Sequence, residues 1–454
     1  MLGRRSLVNA LVQGIIANSA LPALGQSDRG ERKLPWRNWS GSQQCLPAAR
    51  LAPASLDELQ ELIVTSSGTI RPVGAGHSFS PLVPTDGTLV SLARLSGLVQ
   101  HDSDTLQATV WAGTRLGEIG QPLEDVGQAM VNLPDIDEQA LGGCLATATH
   151  GTGAKLGCLS SLISHLQIMD AEGNLIDCSV TKNPDIFQAA KVSLGSLGIV
   201  TQATLQNVAP FRLRKETHWL NFEDILANAE RLADQHRNFE FYFIPFTGMG
   251  FTDAYDVTTE PIGATETLDD NEGVKDLMLA RDALSWSPGL RKLVLGSYMR
   301  TLPSETSIES SWRNFPNERN VRFNEMEYHL PREYGLTALR EIRDVLETNH
   351  DEVFFPIEFR YVQADDIWLS PFQGRDCCSI AIHRYFEEDY GPYFKAIEPI
   401  FRKYHGRPHW GKLNTLNRED FADLYPHWED FIAVRNALDP QGRFLNPYLH
   451  SLLG

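Results

Sequence analysis

The run Arg71-Pro-Val-Gly-Ala-Gly-His-Ser-Phe-Ser-Pro81 sets a single histidine, His77, among small residues. Gly74 and Gly76 have no Cβ atom, so the backbone can approach a phosphate closely and adopt φ angles that other residues avoid. The run lacks the third glycine of the dinucleotide fingerprint, which disfavours a nicotinamide-binding fold. It predicts a phosphate-binding loop. The alternative is a turn between strands in which His77 only hydrogen-bonds its neighbours.

A second run of small residues, Gly142-Gly-Cys-Leu-Ala-Thr-Ala-Thr-His-Gly-Thr-Gly153, contains His150 near its end. Its threonine hydroxyls can donate to phosphate oxygens, and its small side chains let the main chain come close. A tightly packed core turn would have a similar composition. Because two such runs occur together, the sequence favours a large phosphorylated cofactor.

The composition excludes several classes of protein. A chain of 454 residues with 42% hydrophobic side chains can build a large core and more than one domain. Its formal charge of −18 argues against nucleic acid or an anionic membrane as a partner. The six cysteines show no Cys-x-x-Cys spacing, so no zinc site or redox dithiol is predicted and no metal is expected.

Residues 1–25 differ from everything that follows. Arg4-Arg5 precede a moderately apolar run from Leu7 to Leu24, and no acidic residue occurs before Asp28. The run is short and interrupted by polar residues, unlike a membrane span of about 20 apolar residues. The pattern predicts a twin-arginine signal peptide over residues 1–25, the twin-arginine export machinery as a partner, and a periplasmic or secreted location. The alternative is an amphipathic start to a cytoplasmic protein.

Helical and strand patterns are mixed along the rest of the chain. Helical patterns cover residues 55–66, 115–126 and 184–191, and strand patterns cover residues 106–111, 166–169, 357–362 and 379–385. Ser55 is a predicted helix N-cap. The polar stretch from Asp253 to Val274 predicts a loop or lid, or a variable surface insertion with no catalytic part. The mixture predicts an α+β fold.

Five motifs together resemble the flavoproteins related to vanillyl-alcohol oxidase, and within them the sugar-oxidising branch of aldonolactone oxidases and alditol oxidases. The motifs are Gly74-Ala-Gly-His-Ser78, Gly142-Gly143 with Thr147-Ala-Thr-His-Gly151, Ser193-Leu-Gly-Ser-Leu-Gly-Ile-Val200, Glu358-Phe-Arg360 and Arg407-Pro-His-Trp-Gly-Lys412. The last motif is the most specific for the sugar-oxidising branch. The resemblance runs from about Trp39 to the C-terminus.

The resemblance implies a two-domain FAD-binding fold of the PCMH type with a substrate cap domain. The FAD-binding domain would cover residues 36–208, the cap residues 209–435, and a C-terminal segment, residues 436–454, would return to the FAD domain. FAD would be attached covalently through His77, whose neutral imidazole is nucleophilic near pH 7. The residues implied to contact the cofactor are His77, Gly74, Ala75, Gly76, Ser78, Gly142, Gly143, Thr147, Thr149, His150, Gly151, Gly198 and Val200.

Alternation in Ile357-Glu-Phe-Arg-Tyr-Val362 places Glu358 and Arg360 on one face of a strand. An arginine in a cavity can stabilise negative charge on reduced flavin or on an alkoxide. The carboxylate can orient the arginine or accept a hydrogen bond from a substrate hydroxyl. The alternative is an ordinary salt bridge on one face of a sheet.

Three further site residues follow from the resemblance. His383 would take the hydroxyl proton as hydride leaves the substrate for flavin N5, although a lone strand histidine is more often structural. Lys412 would reach the substrate oxygen, with a lowered pKa for proton transfer or with a plain electrostatic role. His409, three residues before Lys412, is a predicted substrate-binding residue.

Asp135 marks a departure from the related enzymes, which commonly place serine or another small residue at this position facing the substrate. A carboxylate here could bind two hydroxyls of a polyol or lactone, but it would repel an anionic aldonate. The sequence therefore predicts Asp135 as a substrate-binding residue and neutral molecules as substrates.

The resemblance implies an FAD-dependent oxidoreductase acting on the CH–OH group of a small sugar-derived molecule, with oxygen or another compound as electron acceptor. An aldono-1,4-lactone oxidase or dehydrogenase, similar to D-arabinono-1,4-lactone oxidases, is the main prediction. An alditol oxidase is one alternative. A flavin-binding redox partner without turnover is an alternative of another class.

Overall fold

The computed structural model describes residues 33–264, 270–316 and 320–454. The predicted signal peptide over residues 1–25, including Arg4-Arg5, lies outside the described residues. No helix among the described residues is long and apolar enough to cross a membrane.

The described residues form nineteen strands. In chain order they are β1 (Trp36–Arg37), β2 (Gln44–Cys45), β3 (Ala49–Leu51), β4 (Ile70–Val73), β5 (Thr88–Ser91), β6 (Leu98–Asp102), β7 (Gln107–Trp111), β8 (Ile163–Met169), β9 (Leu175–Ser179), β10 (Ile199–Gln206), β11 (Arg212–Asn221), β12 (Asn238–Ile244), β13 (Met249–Thr258), β14 (Gly263–Ala264), β15 (Glu305–Ser310), β16 (Phe323–Pro331), β17 (Ile357–Val362), β18 (Cys377–Tyr385) and β19 (Arg407–Pro408).

The α-helices of the described residues are α1 (Leu56–Thr65), α2 (Gly120–Asp125), α3 (Leu141–Ala146), α4 (Pro184–Lys191), α5 (Phe222–Gln235), α6 (Asp270–Ala283), α7 (Pro288–Met299), α8 (Ser311–Asn314), α9 (Arg332–Asn349), α10 (Gly391–Lys403), α11 (Arg418–Leu424), α12 (Trp428–Leu438) and α13 (Pro447–Leu453). Two 3₁₀ turns cover Leu116–Glu118 and Leu159–Leu162. The predicted α+β class is confirmed.

Most of the predicted elements are present. Ser55 caps α1 by accepting a hydrogen bond from the Glu58 backbone N–H at 3.1 Å, as its residue type predicts. The helical pattern over residues 115–126 becomes the first 3₁₀ turn followed by α2. The loop predicted from Asp253 to Val274 is largely wrong, because β13 continues to Thr258 and α6 begins at Asp270. Residues 265–269 of that stretch lie outside the described residues.

The strands form four sheets. β1 and β2 pair alone, and β3, β5 and β4 form a small parallel sheet. The order of the five-stranded sheet is β6-β7-β10-β8-β9, and that of the nine-stranded sheet is β14-β15-β11-β13-β12-β17-β18-β16-β19. The predicted boundary at residues 208 and 209 falls between these two sheets. Leu34–Gly454 form one compact unit by contacts, so the division into domains stays a prediction.

Alternation along the central strands of the nine-stranded sheet separates an apolar face from a polar one. In β12, Phe241 and Phe243 contact Phe222 of α5. Glu240 and Tyr242 point to the opposite face. In β16, Tyr328 stacks on a phenylalanine of α10, whereas Glu325, Glu327 and His329 occupy the alternate positions. The sheet thus presents a buried row of ionisable side chains on the side away from its helices.

Arg71, at the start of the glycine loop, ties distant parts of the chain together. It is 1% exposed, and its guanidinium donates to the carbonyl oxygens of Leu82, Leu194, Gly195 and Phe444. Burial lowers its pKa to about 9, which still leaves it charged at neutral pH. These bonds fix the C-terminal segment beside the glycine loop.

Candidate active site

A cleft opens where the His77 loop meets the start of α3. Its cavity volume is about 280 Å³, close to the lower end of the roughly 300–1,000 Å³ of an ordinary small-molecule pocket. The predicted site residues that line it are Gly74, Ala75, Gly76, His77, Ser78, Gly142, Gly143, Thr147, Thr149, Val200, His409 and Lys412. The structure therefore brings both small-residue runs and the C-terminal motif to one cleft.

The cleft wall fits a phosphorylated cofactor. A Cβ atom added at Gly143 would meet no protein atom within 4 Å, so this backbone is bare towards open space. Gly76 has φ +76°, in the left-handed region that favours glycine. Within the described part of the chain, the backbone N–H groups of residues 75–78 have no protein acceptor. Consecutive free N–H groups in such a loop suit the pyrophosphate of FAD.

Thr147 differs from its expected role in that wall. Its hydroxyl donates to the backbone carbonyl of Gly143 at 3.1 Å, inside α3. That bond uses the hydroxyl proton that was expected to reach a phosphate oxygen. Backbone N–H groups therefore replace this side chain as the donors that the loop offers.

His77 is half-buried and stacks on Trp39, with 5.5 Å between ring centroids and 24° between ring planes. Burial, together with the positive charges of Lys412 and Arg115, lowers the pKa of His77 to about 4. The imidazole is thus neutral at physiological pH, the form in which it is a nucleophile.

The His77 loop is fastened to the C-terminal motif. The Phe79 backbone N–H donates to the Gly411 carbonyl at 2.7 Å, and the Ser80 hydroxyl donates to the Trp410 carbonyl at 2.6 Å. These bonds set Lys412 opposite His77 although more than 300 positions separate the two residues in the chain. Trp410 is buried, with its indole N–H donating to the Leu369 carbonyl at 2.7 Å.

Three predicted cofactor contacts lie away from the cleft lining. His150 is buried and directs its ring to Glu327 of β16. Gly151 allows close approach of the Leu133 carbonyl, which a Cβ would meet at 2.3 Å. Gly198 has φ +140° and does the same for the Met169 carbonyl, at 2.4 Å. Gly151 and Gly198 are therefore needed for close packing of the backbone. A sequence motif alone does not distinguish a glycine needed for packing from one that contacts a cofactor.

Glu358 and Arg360 share one face of β17, and that face is a buried carboxyl cluster. Arg360 pairs with Glu358, with Glu240 at 2.8 Å and with Asp135 at 3.2 Å. The Tyr242 hydroxyl donates to Glu358 at 2.5 Å. Cross-strand register explains the pairing, because Glu240 lies opposite Arg360 and Tyr242 opposite Glu358.

One guanidinium thus faces three carboxyl groups. Burial raises the pKa of Glu358 to about 8, aided by Asp135 and Glu240 and opposed by Arg360. Burial also raises the pKa of Glu240. For Arg360 burial acts downward, but Glu358, Asp135 and Glu240 hold its pKa well above the ordinary value. Arg360 is a fixed cation, and Glu358 can change its protonation near neutral pH.

Lys412 forms an ion pair with Glu325 of β16, and Glu327 lies 4.0 Å from its Nζ atom. Burial lowers the pKa of Lys412, but Glu325, Glu327 and Asp135 outweigh burial and raise it. The prediction that the pKa of Lys412 is lowered for proton transfer is therefore wrong. The electrostatic alternative fits, because Lys412 stays a cation at the cleft wall.

His383 does not line the cleft. Its Nδ1–H donates to the Pro356 carbonyl at 3.1 Å, and its Nε2 lies 3.7 Å from Glu325. Since that nitrogen faces the carboxylate that holds Lys412, His383 is placed to orient Glu325. Asp135, Glu358 and Arg360 also lie outside the cleft lining, so the role of His383 as proton acceptor stays a prediction.

A second buried network stands behind His409 and Lys412. His150 Nδ1–H donates to the Gly151 carbonyl at 2.8 Å, and its Nε2 lies 3.0 Å from Glu327. Burial would raise the pKa of Glu327, but His150, His329 and His409 hold it well below the ordinary value. Burial, with Lys412 and His150, lowers the pKa of His409 to about 3. The network fixes a negative charge beneath Lys412.

The same network bears on the expected absence of a metal. His150, Glu327 and His329 place ligand atoms within 4.8 Å of one another, a spacing that cation ligands also adopt. The expectation that the protein needs no metal therefore stays a prediction.

Sequence reasoning missed five residues of these clusters: Glu240, Tyr242, Glu325, Glu327 and His329. The sequence does contain a pattern that could have identified them, because acidic residues within strongly apolar strands are unusual. In Asn238-Phe-Glu-Phe-Tyr-Phe-Ile244 and Phe323-Asn-Glu-Met-Glu-Tyr-His329 the acids fall on one face.

Comparison with known proteins identifies two families that match the chain. Residues 203–452 match the D-arabinono-1,4-lactone oxidase family, and residues 47–179 match the FAD-binding domain family. An L-gulono-1,4-lactone dehydrogenase of Mycobacterium tuberculosis is 34% identical over 92% of this chain and 99% of its own length. An alditol oxidase of a Streptomyces species is 26% identical over 92% of this chain and 98% of its own length.

Among solved structures, cholesterol oxidase from B. sterolicum matches with a TM-score of 0.77 and 18% identity, covering 93% of this chain and 97% of that one. The likeness shows the fold alone, and it agrees with the predicted PCMH-type fold. The predicted cofactor, FAD, and the predicted oxidoreductase class, acting on CH–OH groups, are confirmed. The chain belongs to the D-arabinono-1,4-lactone oxidase family of FAD-dependent oxidoreductases.

Proposed function

We propose that the protein oxidises an aldono-1,4-lactone at the secondary hydroxyl next to the lactone carbonyl, with FAD joined covalently to His77. The observation that carries the proposal is the meeting of a neutral His77 and a cationic Lys412 on one cleft, with Asp135 linking Lys412 electrostatically to Arg360. The hydroxyl oxygen loses a proton and its carbon loses a hydride, which leaves a 2-ketolactone. Transfer of the proton on the neighbouring carbon to the ketone oxygen then gives the conjugated enediol lactone. Bound FAD supplies the two-electron acceptor for that hydride.

The cations of the site suit the charge that develops in this reaction. As the hydroxyl proton leaves, negative charge grows on the substrate oxygen, and Lys412 and Arg360 stabilise it. Neither cation can serve as the proton acceptor, because the pKa of each is raised. We assign the general base to Glu358, which pairs with Arg360, accepts a hydrogen bond from the Tyr242 hydroxyl and, with a pKa raised to about 8, can change its protonation near neutral pH.

Covalent attachment rests on the chemistry of His77. A half-buried neutral imidazole on the cleft wall has a free pair of electrons that could form a bond to the flavin methyl carbon. The new bond would replace a methyl C–H bond, with the proton released and the two electrons taken up by the flavin ring, which the electron acceptor would then reoxidise. The positive charge of Lys412 also lowers the pKa of His77 and so favours the neutral imidazole. The bond would keep the cofactor in place during export and favour oxidation of an unactivated alcohol.

An anaerobic bleaching screen tests the proposed substrate class. Holoenzyme is mixed without oxygen with L-gulono-, L-galactono- and D-arabinono-1,4-lactone and with xylitol and sorbitol, and flavin absorbance is followed. Lactones should bleach the flavin at least about tenfold faster than alditols. Faster bleaching by alditols would support the second candidate, favoured by the full-length alditol oxidase relative, and would contradict the lactone proposal. Admitting air then times reoxidation and identifies oxygen or another compound as acceptor.

Raising the pH through about 8 should speed flavin reduction. Only ionised Glu358 can accept the substrate proton, and its raised pKa leaves it mostly protonated at pH 7. Rapid-mixing reduction rates measured from about pH 6 to about pH 10 should rise and then level off. The Glu358→Gln variant should be slow and insensitive to pH in this range. A rate that falls as the pH rises through 8 would exclude Glu358 as the base.

Exchanging Asp135 for asparagine should weaken the discrimination against aldonates. The Asp135 carboxylate pairs with Arg360 and so offsets the positive charge that would attract an anionic substrate. We expect wild-type enzyme to prefer glucono-1,4-lactone over gluconate, and we expect Asp135→Asn to narrow the ratio of the two kcat/KM values by about tenfold. Asparagine keeps the shape and the hydrogen-bonding atoms. Wild-type turnover of gluconate faster than of its lactone would refute the electrostatic argument.

We also propose a periplasmic location after twin-arginine export, supported by Arg4-Arg5 and the apolar run that follows. Sequencing the N-terminus of protein from cell-envelope fractions tests this. Cleavage near residue 25 is expected, and an intact Met1 in those fractions would refute it.

A further inference from the structure

The β1–β2 hairpin, residues 36–45, is fastened to the His77 loop. β1 and β2 pair antiparallel, and three donors in the turn between them bind carbonyl groups of the loop. The donors are the Trp39 backbone N–H to Gly76 at 2.7 Å, the Asn38 side-chain amide to Ser78 at 3.0 Å and the Gln43 side-chain amide to Phe79 at 3.0 Å. Because the accepting residues flank His77 on both sides, the hairpin fixes the backbone that carries the imidazole.

Trp39 lies at the tip of this hairpin and stacks on the imidazole of His77. The two ring centroids are 5.5 Å apart, and the ring planes differ by 24°. His77 lines the cleft and Trp39 does not, so the indole lies behind the imidazole as seen from the cleft. The stack therefore supports the imidazole and leaves it open to a molecule bound in the cleft.

This stacking sets the plane of the imidazole, because hydrogen bonds do not. Among the described residues, neither ring nitrogen of His77 has a hydrogen-bond partner. The Cβ–Cγ torsion of histidine is broad, so packing decides which way an unbonded ring faces. Trp39 is itself held by two edge-to-face contacts, with Phe323 of β16 at 5.1 Å between ring centroids and with Phe79 at 6.4 Å. The imidazole plane thus depends on ring packing that reaches the nine-stranded sheet.

The electrostatics of the cleft oppose the charge that covalent attachment places on the imidazole. When a neutral imidazole nitrogen bonds to carbon, the ring is positively charged until its remaining N–H proton leaves. Burial and the charges of Lys412 and Arg115 disfavour a positive His77, and together they lower its pKa to about 4. The π face of tryptophan attracts a cation more strongly than that of any other aromatic side chain. The Trp39 indole is therefore placed to offset this repulsion.

We propose that Trp39 is a positioning residue for the covalent attachment of FAD to His77. The inference rests on that attachment, which is part of the proposed function. In the step, an imidazole nitrogen bonds to the flavin methyl carbon and one methyl C–H bond breaks. The C–H proton and the imidazole N–H proton are released, and the two electrons pass to the flavin ring, which the electron acceptor reoxidises. Trp39 holds the imidazole plane and stabilises its transient positive charge.

Time courses of flavin attachment test this role. Full-length protein from riboflavin-starved cells is mixed with FAD and with ferricyanide as electron acceptor, and the flavin retained in acid-precipitated protein is measured. Trp39→Leu should slow attachment at least about tenfold, because it removes both the stacking surface and the π face. Trp39→Phe keeps an aromatic ring and should slow attachment less than about threefold. Trp286→Leu is the matched control, since Trp286 is 74% exposed, and it should attach FAD at the wild-type rate.

Noncovalent binding is measured separately in the His77→Ala background, where attachment is impossible. FAD titrations of His77→Ala with and without Trp39→Leu should give dissociation constants within about threefold of each other, because the backbone donors of the cleft wall are unchanged. A positioning role slows bond formation and leaves this affinity in place. A purely structural role would weaken both.

The outcomes distinguish this inference from the covalent attachment on which it rests. Retained flavin in wild-type protein with an equal rate in Trp39→Leu would overturn the role of Trp39 and leave the attachment standing. Loss of FAD affinity large enough to explain the slower attachment would also overturn it and assign Trp39 to the fold. Wild-type protein that retains no flavin after acid precipitation would overturn the attachment itself, and the role of Trp39 with it.

Discussion

Replacing Lys412 with methionine is expected to slow reduction of the bound flavin by an aldonolactone about 100- to 1,000-fold, the usual cost of losing one preorganised donor to a developing oxyanion. Lys412 lines the cleft beside His77, and Glu325 and Glu327 keep it protonated. Methionine has nearly the same length but no charge. The flavin should stay bound, because the backbone of the His77 and α3 loops is untouched.

Rapid-mixing reduction under anaerobic conditions measures the Lys412→Met effect directly. The Lys412→Arg variant keeps the positive charge, so its rate of flavin reduction should fall far less than that of Lys412→Met. Lys403→Met is the matched control, since Lys403 is 57% exposed and pairs with Glu341 on the surface. Reduction of Lys412→Met at the wild-type rate would remove Lys412 from the mechanism.

Replacing Arg360 with methionine is the second large expected effect, again about 100- to 1,000-fold on flavin reduction. It removes the cation that balances Glu358, Glu240 and Asp135, so those carboxyl groups should also take up protons more readily. The rate of flavin reduction should therefore begin to rise at a higher pH than in the wild type, and its maximum should be lower. A structural salt bridge alone would alter stability and leave this profile in place.

Arg360→Lys separates charge from geometry. A lysine keeps the positive charge, but it cannot donate to Glu240 from one nitrogen while a second nitrogen pairs with Asp135, as the planar guanidinium of Arg360 does. Its reduction rate should lie between those of wild type and Arg360→Met. Flavin absorbance and circular dichroism of both variants show that the cofactor and the fold are retained. An Arg360→Met variant that keeps the wild-type rate and pH profile would assign Arg360 to structure only.

Much of the architecture could be predicted because it depends on local rules. Ser55 before an apolar repeat indicates the start of α1, and Pro184 at the first turn indicates α4. Alternation placed Glu358 and Arg360 on one face, as they are. Predicting these features requires only the periodicity of apolar residues in helices and strands and the residue preferences of helix N-termini.

The rest depends on contacts between distant segments. His150 and His77 look alike in the sequence, each beside a glycine, yet only His77 lines the cleft, because β16 brings Glu327 against His150. The pKa of Lys412 depends on Glu325 and Glu327, which no local pattern connects with the C-terminal motif. The position of His150 and the pKa of Lys412 thus both depend on how distant strands pair in the folded chain.

The direct test of the central claim, that the cleft holds FAD on His77, is peptide mapping of the holoenzyme. Protein denatured with acid is digested, and the peptide that contains His77 is analysed by mass spectrometry and by visible absorbance. The account predicts a yellow pellet and a His77 peptide heavier by one flavin, with colourless pellets from His77→Ala. An unmodified His77 peptide from flavin-loaded protein, with all flavin in the supernatant, would contradict it.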